Sequence, residues 1–103
     1  MGRSRAVNTD DLEQYEAERE LQLANEYQDV VAMFKYAVET DRRFYLANHV
    51  DVKVVADGPR PLLEVTLTDA WVWDMYRKTR LVPKVRVLSF KDLNIEELPA
   101  NNI

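Results

Sequence analysis

The apolar positions of the chain follow one period and then change to another. In the first third, Leu12, Tyr15, Leu23, Tyr27, Val30, Phe34 and Ala37 recur mostly at three- and four-residue intervals, with Val31 and Val38 beside them. That is the stripe of an amphipathic helix. No Gly or Pro interrupts Val7 to Thr40, Thr9 or Asp10 can cap the start, and Glu13 stands three residues after Asp10 as in a capping box. The spacing predicts one helix over about residues 10–39. At 1.5 Å per residue it would measure roughly 45 Å, against a diameter of about 35 Å for a domain of this size. It is therefore expected to overhang, bend or meet a partner, with its thinly apolar first part, Asp11 to Gln22, the candidate overhang.

From Arg43 to Val55 the period becomes two. Phe44, Leu46, Asn48, Val50, Val52 and Val54 alternate with Tyr45, Ala47, His49, Asp51 and Lys53, and Leu62 to Asp74 alternates again, with Leu63, Val65, Leu67, Asp69, Trp71 and Trp73 on one face. The run Ala56-Asp57-Gly58-Pro59-Arg60-Pro61 between them is a turn. An antiparallel register that sets Val54 against Leu63 also sets Leu46 against Trp71, Phe44 against Trp73, Lys53 against Glu64 and Arg43 against Asp74. Apolar then meets apolar and charges meet opposite charges. In the same register the two polar residues on the apolar face, Asn48 and Asp69, meet each other. A third strand is predicted at about Lys84 to Phe90 after Pro83, and Leu93, Ile95 and Leu98 are expected to tuck a short C-terminal turn against the core. The expected fold class is α+β, a long N-terminal helix packed on a three-stranded antiparallel β-meander. Residues 1–9 are expected as a flexible basic tail, 10–98 as a single domain and 99–103 as a C-terminal tail.

Composition narrows the classes. At 103 residues, 47% hydrophobic, the chain has one core and too much apolar content for intrinsic disorder. Zero cysteines exclude disulfides and thiolate metal sites and fit a reducing cytoplasm. No apolar run approaches the roughly 20 residues that span a bilayer, so no membrane role is expected. The net charge of −4 hides a segregation: Asp10 to Asp41 holds ten acids and two bases, whereas Arg42 to Lys91 holds ten bases and five acids. Either the halves neutralise each other within the fold or each offers a surface to a partner.

Candidate chemistry is thin. His49 is the sole histidine, and neither Ser4 nor Ser89 sits in a nucleophile elbow. With Gly2 and Gly58 the only glycines, no phosphate-cradling loop is present. Asp41, Asp51, Lys53 and Glu64 loosely echo nucleases that hold a divalent cation with hairpin carboxylates, but the register turns Lys53 and Glu64 into an ordinary ion pair. No cofactor, metal or catalytic residue is therefore expected. The candidate binding residues are Tyr76, Arg77, Lys78, Arg80, Lys84 and Arg86, a basic stretch beside Trp71 and Trp73 of the kind that neutralises and stacks single-stranded nucleic acid. Asn48 and Asp69 are the candidate polar pair, fixing register or marking a recognition site.

The segments Glu39-Thr40-Asp41-Arg42-Arg43-Phe44-Tyr45-Leu46-Ala47-Asn48 and Thr68-Asp69-Ala70-Trp71-Val72-Trp73-Asp74-Met75-Tyr76-Arg77, with Phe34-Lys35-Tyr36, Val85-Arg86-Val87 and Phe90-Lys91-Asp92, carry a resemblance. The chain resembles a family of small uncharacterised actinobacterial proteins, a domain of unknown function of about this length, over roughly residues 10 to 98. The family's gene is commonly found beside that for ribonuclease HII, near genes for a ribosomal protein and signal peptidase. The resemblance implies a cytoplasmic bacterial protein with a tie to RNA or translation and supplies no catalytic residues. The expected function is a non-catalytic cytoplasmic interaction protein that binds a macromolecular partner, a protein first, through the Tyr76 to Arg86 segment and the overhanging acidic helix. The alternatives are an RNA- or ribosome-associated accessory factor and a metal-dependent nuclease, with a homodimer also open.

Overall fold

The computed structural model of the chain describes residues 9–90 and 93–99. The expected tails therefore lie outside the described residues, except for Thr9 and Pro99. Helix α1 runs over Thr9–Val30 and a 3-10 turn over Val31–Met33. The strands are β1 Tyr36–Glu39, β2 Phe44–Ala56, β3 Leu62–Val72, β4 Leu81–Ser89 and β5 Asn94–Glu97. They form one sheet in the order β4-β3-β2-β1-β5, with every neighbouring pair antiparallel.

The α+β character holds, but the sheet has five strands instead of three. Two short segments account for the difference, one read as helix and one as a turn. Residues 36–39 were expected to end the helix, because Phe34 and Ala37 continue its spacing. Instead, the backbone of Lys35 is satisfied by distant partners. Its N–H donates to Asn48 Oδ1 at 3.1 Å and its carbonyl accepts from Leu98 N–H at 2.7 Å. Val30, Val31 and Val38 are β-branched, which lowers the cost of leaving the helix. Four consecutive residues also cannot distinguish a period of two from one of 3.6 when both neighbours of an apolar residue are apolar. At 22 residues α1 is roughly 33 Å long, within the expected diameter, yet its first two turns still hold Leu12 and Tyr15 half exposed.

The four-residue link from β1 to β2 is tied by Thr40, whose Oγ1 accepts from the N–H groups of Arg42 and Arg43 at 3.2 and 3.1 Å. The β2–β3 register matches the expected one from Tyr45↔Val72 to Val54↔Leu63, including Leu46↔Trp71 and Lys53↔Glu64, and shifts at Ala56↔Leu62. Gly58, at φ 126°, supplies the backbone that the intervening turn needs. β4 begins at Leu81, three residues before the expected start, with Pro83 inside it. Pro83 is tolerated because β4 is an edge strand.

One consequence of strict alternation fails. Leu46 and Trp71 pack beneath α1 with Leu23, Phe34 and Ala37. Val65 and Leu67, expected on the same face as Trp71, instead pack with Ala70, Val72, Tyr45, Ala47 and Val38 in a second cluster. Val50 of β2 and Val82, Val85 and Val87 of β4 join that cluster. The inward side of the sheet therefore changes between Leu67 and Ala70, and Asp69 lies in between at φ 56°. A left-handed residue rotates the strand about its axis, so the side chains after it exchange faces. Each face of the first half of the sheet thus has a core, one under the helix and one under the far half of the long hairpin.

The strand assignment of residues 36–39 is testable through Val38, which is 1% exposed. Val38→Ala should destabilise by about 1–3 kcal/mol in urea unfolding. Ala is the better helix former, so an unchanged or raised midpoint would restore the helix reading.

Candidate functional site

The candidate residues of Tyr76 to Arg86 divide by what they touch. The segment after β3 opens on an Asp74 turn, with Tyr76 N–H on Asp74 Oδ1 at 3.0 Å and Arg77 N–H on the Asp74 carbonyl at 3.1 Å. Arg43 also reaches Asp74 at 3.4 Å, the ion pair expected from the register. The turn delivers the segment to the helix. Tyr76 Oη donates to Glu16 Oε2 at 2.9 Å, and Arg19 of α1 donates through Nε and Nη2 to the Met75 carbonyl, at 3.1 Å from Nε.

The strongest tie is at Glu26. Arg80 donates to both its carboxylate oxygens, Nη2 to Oε2 at 2.6 Å and Nε to Oε1, and Trp71 Nε1 donates to Oε1 at 2.7 Å. Arg80 Nη1 also donates to the Arg77 carbonyl at 2.7 Å. A fork-to-carboxylate pair fixes orientation as well as energy. Tyr27 lies beside this tie, with ring centroids 5.9, 5.9 and 5.5 Å from those of Phe44, Trp71 and Trp73. The aromatic cluster and the Glu26 pair together hold α1 on the sheet.

Arg77, Lys78 and Lys84 are exposed, and Arg86 reaches Glu64 at 3.2 Å with its side chain 69% exposed. The structure thus places Tyr76 and Arg80 against the helix and leaves Arg77, Lys78, Lys84 and Arg86 facing outward.

Asn48 and Asp69 do meet. Asn48 Nδ2 donates to Asp69 Oδ2 at 2.7 Å while its Oδ1 accepts the Lys35 N–H. A carboxylate can only accept and an N–H can only donate, so this fixes which way the amide points. Asp69 is exposed, so the pair is not a buried one. It borders a cavity walled by Met33, Phe34, Leu81, Val82 and Pro83.

A second gathering of cations escaped the sequence reading. Arg42 and Arg43 of the β1–β2 link, Arg60 of the β2–β3 turn and Phe90 after β4 line one cavity. The adjacent arginines were visible in the sequence, but nothing in the spacing shows that the hairpin turn comes to lie beside them. The acids considered for a nuclease stay apart in role: Asp51 pairs with Thr66 and Glu64 with Arg86, while Asp41 lines the arginine cavity. Among the described residues no group of three His, Asp or Glu side chains could hold a metal ion.

A family described as protein of unknown function (DUF2469) matches residues 7–103. The chain belongs to this family. It is 53% identical over 92 residues to uncharacterised proteins of Mycobacterium bovis and of two strains of Mycobacterium tuberculosis, covering 89% of this chain and 91% of each relative. The actinobacterial resemblance read from the sequence is thereby shown. No solved structure matches the chain. No described helix is long and apolar enough to cross a membrane.

The tie at Glu26 has a pH signature. Hydrogen bonding from Arg80 holds the Glu26 carboxyl below its ordinary value, against the opposing effect of burial. A carboxyl lowered in the folded state contributes stability above its unfolded value, near 4.5, and that contribution is lost as pH falls through the lowered folded value. Glu26→Gln should therefore unfold at lower urea than the parent at pH 7, by about 1–2 kcal/mol, and the gap should narrow as the pH is lowered below the ordinary carboxylate value. A gap independent of pH would mean that the charge contributes nothing.

At position 69 the backbone and the side chain can be separated. Asp69→Ala loses the bond to Asn48 and keeps a Cβ in the left-handed region, a cost of about 1–2 kcal/mol. Asp69→Gly loses the same bond but relieves the backbone, so it should melt measurably above the Ala variant. Equal melting of the two would exclude the left-handed conformation.

Proposed function

We propose that the protein is a small non-catalytic interaction protein whose α1 presents an acidic, partly apolar face to a basic surface on a protein partner. The observation that carries this reading is the contrast along the helix. The Glu16 to Glu26 stretch is tied to the β3–β4 link through Glu16, Arg19 and Glu26 and to β3 through Glu26 on Trp71, whereas Leu12 and Tyr15 stand 50% and 53% exposed on the preceding turns. Their spacing of three puts them on one stripe, among Asp11, Glu13 and Glu18. An exposed apolar pair set mostly among acids, with the Arg19 guanidinium 5.7 Å from the Tyr15 ring centroid, matches the anatomy of a binding surface, apolar at the centre and charged at the rim. Acids suit a basic protein and disfavour nucleic acid on this face.

A second reading, RNA association, draws on the exposed cations Arg77, Lys78, Lys84 and Arg86. Arg80 does not enter it, since that side chain is committed to Glu26. A cytoplasmic location belongs to both readings.

The test places a photo-crosslinking residue at Leu12 in the native cell. It should capture one protein with a basic surface, and the product should diminish when ionic strength is raised in the lysate. The double variant Leu12→Glu, Tyr15→Glu should lose that product while shifting stability by less than about 1 kcal/mol, as befits surface positions. Retention of the cross-link by the folded double variant, or capture of this chain alone, would overturn the reading.

A further inference from the structure

The arginine cavity calls for a ligand of different chemistry from the helix face. It measures about 320 Å³ and is lined by Arg42, Arg43, Arg60, Tyr45, Ser89 and Phe90, with Asp41 the one acid among its described lining residues. Three segments distant in sequence contribute to it: the β1–β2 link, the β2–β3 turn and the end of β4. Three arginines against Asp41 in the lining and Asp74 on Arg43 leave the opening with one positive charge in excess. Guanidinium groups donate two parallel hydrogen bonds to a phosphate, which an ammonium cannot do. Arg43 is directed by its pair with Asp74 at 3.4 Å while its side chain remains 46% exposed.

The second component is aromatic. Phe90 is 56% exposed, and the Arg60 guanidinium carbon lies 5.3 Å from its ring centroid. An exposed ring flanked by an arginine offers a stacking platform for a planar base. Tyr45 is buried, and its hydroxyl is held above its ordinary value chiefly by that burial, so at neutral pH it remains a donor. At about 320 Å³ the space is at the small end of ligand sites.

From this convergence we infer that the cavity binds a nucleoside phosphate unit, the phosphate on Arg42, Arg43 and Arg60 and the base on Phe90. That unit occurs both as a free nucleotide and within single-stranded RNA, and the two sources are separable by experiment. The inference does not depend on the helix face, since no residue is shared between the two sites.

The measurement is fluorescence anisotropy with a labelled octauridylate RNA at 50 and 200 mM salt, with uridine monophosphate and inorganic phosphate as competitors. Binding that weakens as salt rises is expected. Arg42→Ala with Arg60→Ala should weaken it at least tenfold. Phe90→Ala should weaken the RNA and uridine monophosphate about tenfold and leave inorganic phosphate unchanged, because only the base stacks. Competition by uridine monophosphate at the affinity of the octamer assigns the site to free nucleotides. Competition only at far higher concentration assigns it to the RNA chain. Unchanged melting temperatures confirm that the variants are folded. Absence of binding at 50 mM salt overturns the inference. So does a Phe90→Ala variant with parental affinity, or equal binding of a phosphopeptide of the same charge.

Discussion

One amide joins the parts of this molecule. Asn48 bonds the Lys35 backbone with its oxygen and the Asp69 carboxylate with its nitrogen, so it sits where the helical segment gives way to β1 and where β3 changes its inward side. Neither bond is worth more than about 1–2 kcal/mol, and both are accessible to water. Their importance is positional. If Lys35 kept a helical partner, β1 would not form, β5 would lose the strand it pairs with, and Ala37 and Val38 could not face the two separate cores they now join.

The change of face at Asp69 determines how a chain this small can bury two cores. A flat meander of this length would put one face under the helix and leave the other to water. With the inward side exchanged, Val65, Leu67, Val85 and Val87 cover the face that the helix does not reach. The same folding back brings Arg60 beside Arg42 and Arg43. The cationic cavity is thus a by-product of core formation, and no local sequence pattern specifies it.

That explains which features were legible in the sequence. The β2–β3 register was readable because pairing is a sum rule, and Leu46 with Trp71, Lys53 with Glu64 and Asn48 with Asp69 all satisfy one sum. The meeting of Arg43 with Asp74 followed from it. The helix was legible in its existence and not in its end, since Phe34 and Ala37 fit either period and the deciding partners, Asn48 and Leu98, are distant. β5 was missed because Asn94-Ile95-Glu96-Glu97 carries a single apolar residue, and its strand character comes from β1. The exchange of faces was invisible because Asp tolerates the left-handed region without announcing it. Within the candidate site, the grouping of Tyr76 to Arg86 was legible as charge, but its division into helix-facing and outward side chains was not.

The segregation of charge now has a structural account. Two of the strongest ties between the acidic helix and the rest of the chain are made by Arg80 on Glu26 and by Arg19 on a carbonyl. Internal neutralisation therefore uses few cations. Arg42, Arg43 and Arg60 lie outside these ties, as do the outward-facing Arg77, Lys78, Lys84 and Arg86. Most of the ten bases after Asp41 are thus not needed to hold the helix. Leu12 and Tyr15 stand exposed among the acids of the first helical turns, and Arg42, Arg43 and Arg60 collect where the hairpin returns. A net charge of −4 consequently conceals two surfaces of opposite sign, and a single polyanion or a single basic protein could match only one of them.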